Sequence, residues 1–239
     1  MDSSTGQHPM AEHATGGRSP WFWLVWAGFV GYAVLLAPPD RPDTLDLIVQ
    51  LSTGQVADLN PAIVALFNVM GIWPMIYGAI MLTDGRGQSV RAWPFWAGSM
   101  ALGAFALLPY LALRRSNPQF VGPKSRLLRF WESRWLAIGL AAGAIGLVGW
   151  GFSQGDWADF AQQWQTSRFI HVMSLDFGML SLLFGALVGD DLARRGWGDR
   201  RWWRAIVLVP LAGPLAYLLA RPPLPEGDRF DPSTAEQAP

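Results

Sequence analysis

The chain has 239 residues, of which 51% are apolar and 13% aromatic but only 15% charged, and its mean hydropathy is +0.21. A water-soluble domain carries about 25% charged residues, so the shortfall points to lipid as part of the solvent and excludes disorder for most of the chain. Eighteen basic residues balance eighteen acidic ones, leaving no field to gather nucleic acid, and the lack of cysteine excludes disulfide frameworks, thiolate metal centres and thiol nucleophiles.

Residues 1–20 are rich in Ser, Gly, Thr and His and bury too little apolar surface to fold alone, which predicts a disordered tail. The first apolar run, 21–37, opens on aromatics and lacks a basic leader and a small-residue cleavage site, so it is expected to stay as a span. In the loop that follows, Leu45, Leu47, Ile48, Val49, Leu51, Val56 and Leu59 suit a short helix lying on the membrane surface. The second run, 62–83, begins after Asn60-Pro61, a cap followed by proline at the first helical position. Within it Trp73-Pro74 should kink the helix and free the carbonyl of Met70, making a polar notch beside Asn68. Further runs occupy 93–113, 135–152, 169–189 and 205–220, and Gly139 and Gly143 offer a small face for close helix approach. About 20 residues cross a hydrocarbon core of about 30 Å, so the last run is marginal. The expectation is all-α: an integral membrane bundle of about six transmembrane helices over 21–221, followed by a disordered tail at 222–239.

Thirteen of the fourteen tryptophans lie near run ends or in loops, as an interfacial belt requires, and only Trp73 sits in mid-span. Lys and Arg in the connections after the first, third and fifth runs number twelve, against six elsewhere. Six serial spans would then put the loops at 114–134 and 190–204 on the cytoplasmic or stromal face and both termini on the other. Two echoes recur, Pro20 to Gly28 with Trp93 to Gly98, and Leu108 to Arg114 with Pro214 to Arg221. They fit either a three-plus-three duplication of inverted topology or interface chemistry alone.

Few polar side chains lie within the runs: Asn68, Ser99, His171, Ser174, Asp176 and Ser181, with Asp84 and Asp190 at run ends. A carboxylate at the depth of Asp176 costs at least about 2.5 kcal/mol, so it should be protonated, paired or facing a polar cavity, with Asn68 or Tyr77 as the expected partner. Asp176 and His171 either fix helix packing by hydrogen bonds or serve proton transfer, ligand binding or pigment ligation. His171 is the only histidine beyond the N-terminal tail, so one chain cannot supply the two imidazoles of a b-type haem. One axial ligand suffices for chlorophyll, which leaves His171 as a candidate pigment ligand and chlorophyll or carotenoid as open cofactors. There is no paired-histidine metal motif and no phosphate loop, and Ser174, His171 and Asp176 do not converge on one helix. No catalytic or metal set is identified.

With these residues in view, the chain resembles a group of uncharacterised multi-spanning membrane proteins of cyanobacteria and plastids. The resemblance rests on Phe67-Asn-Val-Met-Gly-Ile-Trp-Pro74, on Trp93-Pro-Phe95 with Gly103-Ala-Phe-Ala-Leu-Leu-Pro-Tyr110, on Ser167-Arg-Phe-Ile-His-Val-Met-Ser-Leu-Asp-Phe177 and on Leu208-Val-Pro-Leu-Ala-Gly-Pro-Leu-Ala-Tyr217. It covers about residues 58–221 and carries no activity. It implies a thylakoid or plasma membrane of a cyanobacterium, or a plastid membrane. The expectation that follows is a non-enzymatic factor in assembly or maintenance of a photosynthetic complex, with membrane lipids and photosynthetic complex subunits as partners. The alternative is a small transporter or proton-coupled permease using Asp176, His171 and the Asn68 notch.

Overall fold

The computed structural model describes residues 19–120, 123–198, 200 and 202–225, so most of both expected tails lies outside the described residues. The described residues form helices and no strands, and the chain is a helical membrane protein. Three helices are long and apolar enough to cross a bilayer: α3 (Pro61–Asp84), α7 (Arg134–Gln154) and α9 (Arg168–Arg194). A shorter apolar helix, α1 (Pro20–Leu35), packs beside them. Asn60 caps α3 as expected, its Oδ1 accepting from the Ala62 N–H at 2.9 Å with Pro61 opening the helix. The surface helix expected after the first run is α2 (Thr44–Thr53), and a second such helix, α8 (Trp157–Thr166), buries no residue and is capped by Asp156.

The third apolar run does not cross. It forms α4 (Ala92–Leu102) and α5 (Ala104–Leu113), separated by Gly103 at φ +52° and ψ −129°. The Gln88 side chain donates to the Arg115 carbonyl at 2.6 Å and accepts from the Arg115 N–H at 2.9 Å, so the run leaves the bundle where it entered. Each arm, about 16 Å long, reaches halfway through the hydrocarbon. A non-helical tip at that depth survives only if its backbone is satisfied by protein. Here the Phe105 carbonyl accepts from Trp26 Nε1 at 2.9 Å, and the Ala104 N–H donates to Asp176 Oδ1 at 2.8 Å. The sixth run also turns back. It comprises α10 (Trp203–Ile206) and α11 (Ala212–Ala220), with Leu211 between them at φ +59°, and Arg195 Nη1 donates to the Pro222 carbonyl at 2.5 Å.

Sidedness is therefore corrected. The two hairpins return the chain to one end of the bundle, where the Lys124 ammonium donates to the Leu224 carbonyl, and α1 starts at this end and leads to the Pro38 and Pro39 carbonyls that receive Arg168. Ser19 and residues 222–225 thus share a face with the arginine-rich loops. Of the described Lys and Arg residues, thirteen lie at this end and only Arg41 and Arg168 at the other, a sharper asymmetry than six serial spans allow. Single cysteines at Arg126 and Pro225 should accordingly react with an impermeant maleimide from the same side of the membrane, and one at Asp58 from the opposite side. Shared labelling of positions 58 and 225 would overturn the hairpins.

The echoes noted in the sequence become a duplication of parallel sense. Asp84, Tyr110 and Arg114 recur 107 residues later as Asp191, Tyr217 and Arg221. In each copy the tyrosine at the returning arm of a hairpin donates to the aspartate at the end of a spanning helix, at 2.5 Å for Tyr110 to Asp84 and 2.6 Å for Tyr217 to Asp191. The helix order span, surface helix, span, hairpin occurs twice, with α6 (Arg126–Trp131) joining the copies. α5 packs on α1 and α9 as α11 packs on α7 and α3. Since α3 and α9 run in the same direction, the pseudo-symmetry axis lies along the membrane normal and the inverted arrangement does not apply.

The interfacial tryptophans follow expectation at Trp21, Trp93, Trp135, Trp157 and Trp202, which are exposed, but Trp131 and Trp203 are buried at the arginine-rich end. Trp73 is fully buried with its ring edge-on to Phe177, and the Pro74 carbonyl accepts from Trp96 Nε1 at 2.8 Å.

Candidate functional site at the hairpin tip

Asp176 is the ninth of the 27 residues of α9, about a third of the way along it, and is 5% exposed. Its Oδ1 accepts from the Ala104 N–H at 2.8 Å, so the carboxylate sits on the positive N-terminal end of the half-helix α5. Gly103 is required twice over: its backbone lies where side chains are strained, and a Cβ there would land on the Asp176 carboxyl. Among the described residues no basic side chain pairs with Asp176. Its carboxyl group instead lines a cleft of about 570 Å³ bounded by α1, α3, α9 and the α4–α5 tip. The walls are apolar, with Phe67, Met70, Phe105, Phe169 and Met173, and the rim carries the Arg168–Asp40 ion pair at 2.9 Å. Val69 occupies the place of Asp176 in the first copy, 107 residues earlier, so the duplicated scaffold carries one carboxylate and not two.

The structure does not bring the expected polar residues together. Asn68 is exposed and donates to the Val64 carbonyl of its own helix at 2.8 Å, so it makes no notch and does not reach Asp176; this i−4 bond satisfies an amide without a second helix. Tyr77 donates to the Leu180 carbonyl at 2.6 Å. The partner of Asp176 is a backbone amide, which no side-chain inventory contains. His171 Nδ1 lies 2.9 Å from the Trp164 carbonyl, which can only accept, so this nitrogen carries the proton and Nε2 accepts from the Tyr32 hydroxyl at 2.8 Å. The lone pair a chlorophyll magnesium would need is thus given to Tyr32. His171 ties α1 and α8 to α9, its ring tilted against that of Trp164 with centroids 4.3 Å apart. Among the described residues no group of three or more His, Asp or Glu is placed to hold a metal ion.

The arginine-rich end holds a second, larger polar assembly. Asp84 receives Arg114 at 2.6 Å and Arg194 at 3.1 Å, and Arg114 also pairs with Asp190. Glu132 receives Arg195 at 2.5 Å and Arg221 at 3.3 Å, while Asp191 receives Arg195 at 2.8 Å. Four carboxylates meet four guanidiniums, so the buried charge closes on itself and pins both hairpins to α3 and α9. Burial alone would raise the Glu132 carboxyl, but the bond from Arg195 and the charge of Arg221 hold it below its usual range. A depressed folded value means that stability is full at neutral pH and is lost as pH falls through the ordinary carboxylate range towards that value. Thermal melts of the purified protein should therefore drop on acidification, and Glu132→Gln should flatten that part of the profile while lowering the neutral-pH melt.

Comparison with family models, with curated proteins and with solved structures finds no match to this chain.

Proposed function

We propose that this protein is a small membrane carrier in which protonation of Asp176 is coupled to passage of a solute through the cleft at the α4–α5 tip. The observation that carries this reading is an intramembrane carboxylate lodged on the free N-terminus of a broken helix and open to a cavity. Ionisable groups at such depth mark substrate or proton paths, and discontinuous helices at mid-membrane are where carriers hold charge. The parallel duplication supports it further, since two like halves around a shared axis can rock against each other.

A direct test places the single cysteine Val172→Cys on the cleft wall one turn from Asp176. Its reaction with a water-soluble maleimide should change severalfold between pH 6 and pH 8, and adding Asp176→Asn, which keeps an acceptor for the Ala104 N–H but cannot titrate, should abolish the change. Labelling that ignores pH in both backgrounds would end the carrier reading.

A second reading, a non-enzymatic factor that supports a photosynthetic complex in a thylakoid, cyanobacterial plasma or plastid membrane, rests on the family resemblance. One observation favours it: α7 turns Gly139, Gly143 and Gly146 outward with open space above each, a face suited to a partner helix. Purification of the tagged protein from native membranes separates the two. Pigment or photosystem subunits in stoichiometric amount support the second reading, and a colourless protein alone counts against it.

A further inference from the structure

We propose that the Asp176 cleft binds a lipophilic organic cation, a substituted ammonium or phosphonium with an apolar body, and that the cation takes the place of the carboxyl proton. The proposal rests on the carrier reading above and adds to it the chemical class of the solute.

Three independent observations lead to this class. The first is the charge of the site: the Asp176 carboxyl, buried beside the Ala104 amide, has no cationic side chain against it among the described residues. A bound cation supplies that charge, whereas an anion would face a carboxylate in low dielectric. The second is the wall. Phe67, Phe105 and Phe169 line it, residues of a type whose rings attract cations, and Met70, Met100 and Met173 are soft side chains that mould to irregular apolar shapes. About 570 Å³ admits a multi-ring or branched body and far exceeds the needs of an inorganic ion. The third is the approach. The rim opens at the end of the bundle that, among the described residues, carries Asp40, Asp43, Asp46, Asp58, Asp156 and Asp159 against two arginines, Arg41 and Arg168, both already paired with aspartates. Such an end raises the local concentration of cations.

The exchange is balanced: a neutral carboxyl and a cation give a carboxylate–cation pair and one released proton. The other ionisable groups around Asp176 are engaged elsewhere. From α3, Tyr77 is bound to the Leu180 carbonyl; from α1 and α9, Tyr32 and His171 are bound to each other; at the rim, Arg168 is bound to Asp40. The α4–α5 tip offers only backbone amides and Ser99, whose hydroxyl donates to the Trp96 carbonyl. The released proton therefore comes from Asp176.

The test is equilibrium dialysis of the purified full chain with radiolabelled tetraphenylphosphonium at pH 6, 7 and 8, with proton release followed in dilute buffer. Affinity should rise with pH by up to about tenfold per unit while the carboxyl is protonated, with about one proton released per cation. Asp176→Asn should bind about thirtyfold more weakly or worse. Phe169→Leu, which keeps the carboxyl, should lose about threefold while still releasing a proton. Equal binding by the wild type and Asp176→Asn, or binding without pH dependence, overturns the proposal. If the Val172→Cys probe still switches through Asp176 while the phosphonium does not bind, the cation class fails and the carrier reading stands.

Discussion

Gly103→Ala should prevent accumulation of folded protein, while Gly178→Ala, only two residues from Asp176 on α9, should be nearly silent. At φ +52° and ψ −129° a side chain is strained by about 1–3 kcal/mol, a cost glycine escapes. The added methyl would also fall on the Asp176 carboxyl, and overpacking of that kind adds about 1–3 kcal/mol when neighbours cannot retreat. Asp176 cannot retreat without giving up the Ala104 N–H, which would leave a backbone donor stranded at mid-membrane. A loss of several kcal/mol is a large part of the about 5–15 kcal/mol that holds a domain together. Gly178, by contrast, has helical geometry and open space where a Cβ would go. Size-exclusion profiles of fluorescent fusions read the difference. The double variant Gly103→Ala/Asp176→Ala should recover little, because it removes the clash but leaves both the backbone strain and an Ala104 N–H without its acceptor. A Gly103→Ala protein as abundant and as heat-stable as the wild type would mean that the tip does not sit on Asp176.

The all-α membrane class was open to view in the sequence, because 16- to 22-residue apolar runs have few other stable outcomes in lipid. Asn60 and Pro61 announced the start of α3, and the apolar spacing from Leu45 to Leu59 announced α2, since caps and amphipathic stripes are local signals. The hairpins were hidden for the converse reason. A run of 21 apolar residues reads the same whether it crosses or folds back at its middle, and what bends 93–113 is one glycine whose conformation is stabilised by Asp176, more than 70 residues away. Gly103 and Pro109 within that run were the available hints. The last run was flagged as short, and its shortness is what a half-membrane hairpin requires.

Asp176 stood out by its cost alone, and it does line a cleft. Its supposed partners did not follow, because Asn68 and Tyr77 each find a backbone carbonyl nearby and the carboxylate finds a backbone amide. Residue types reveal which side chains need a partner, but a broken helix supplies partners that have no residue type. The duplication was also half visible. The Tyr-Leu-Arg exits were noticed, but the matching aspartates, 26 residues before each tyrosine, gain meaning only when the hairpin brings them within 2.5 and 2.6 Å of the hydroxyls.

Those aspartates carry the other large effect. Asp84→Asn should lower the melting temperature of the purified protein by about 10 °C or more at neutral pH, and Asp191→Asn should do the same in the second copy. Asp84 is wholly buried and accepts from Tyr110 at 2.5 Å, from Arg114 at 2.8 and 2.6 Å and from Arg194 at 3.1 Å. An asparagine in its place keeps the volume but removes the charge that two guanidiniums face, and Arg194 is itself without solvent contact. Removing one partner of a buried pair costs about 3–5 kcal/mol, mostly because the remaining charge is left uncompensated. Arg114 retains Asp190 at hydrogen-bond range, whereas Arg194 keeps only the Asp191 carboxylate at 3.8 Å, so Arg194 bears the larger share. Replacing that arginine too, as Asp84→Asn/Arg194→Met, restores neutrality and should return a substantial part of the lost stability, as apolar replacements of buried pairs do. Asp43→Asn, at an exposed pair on the far end, should shift the melt by no more than about 2 °C. A double variant no more stable than Asp84→Asn alone would show that Asp84 acts through Tyr110 and the helix end, and not as the counter-charge of the network that holds the first hairpin in place.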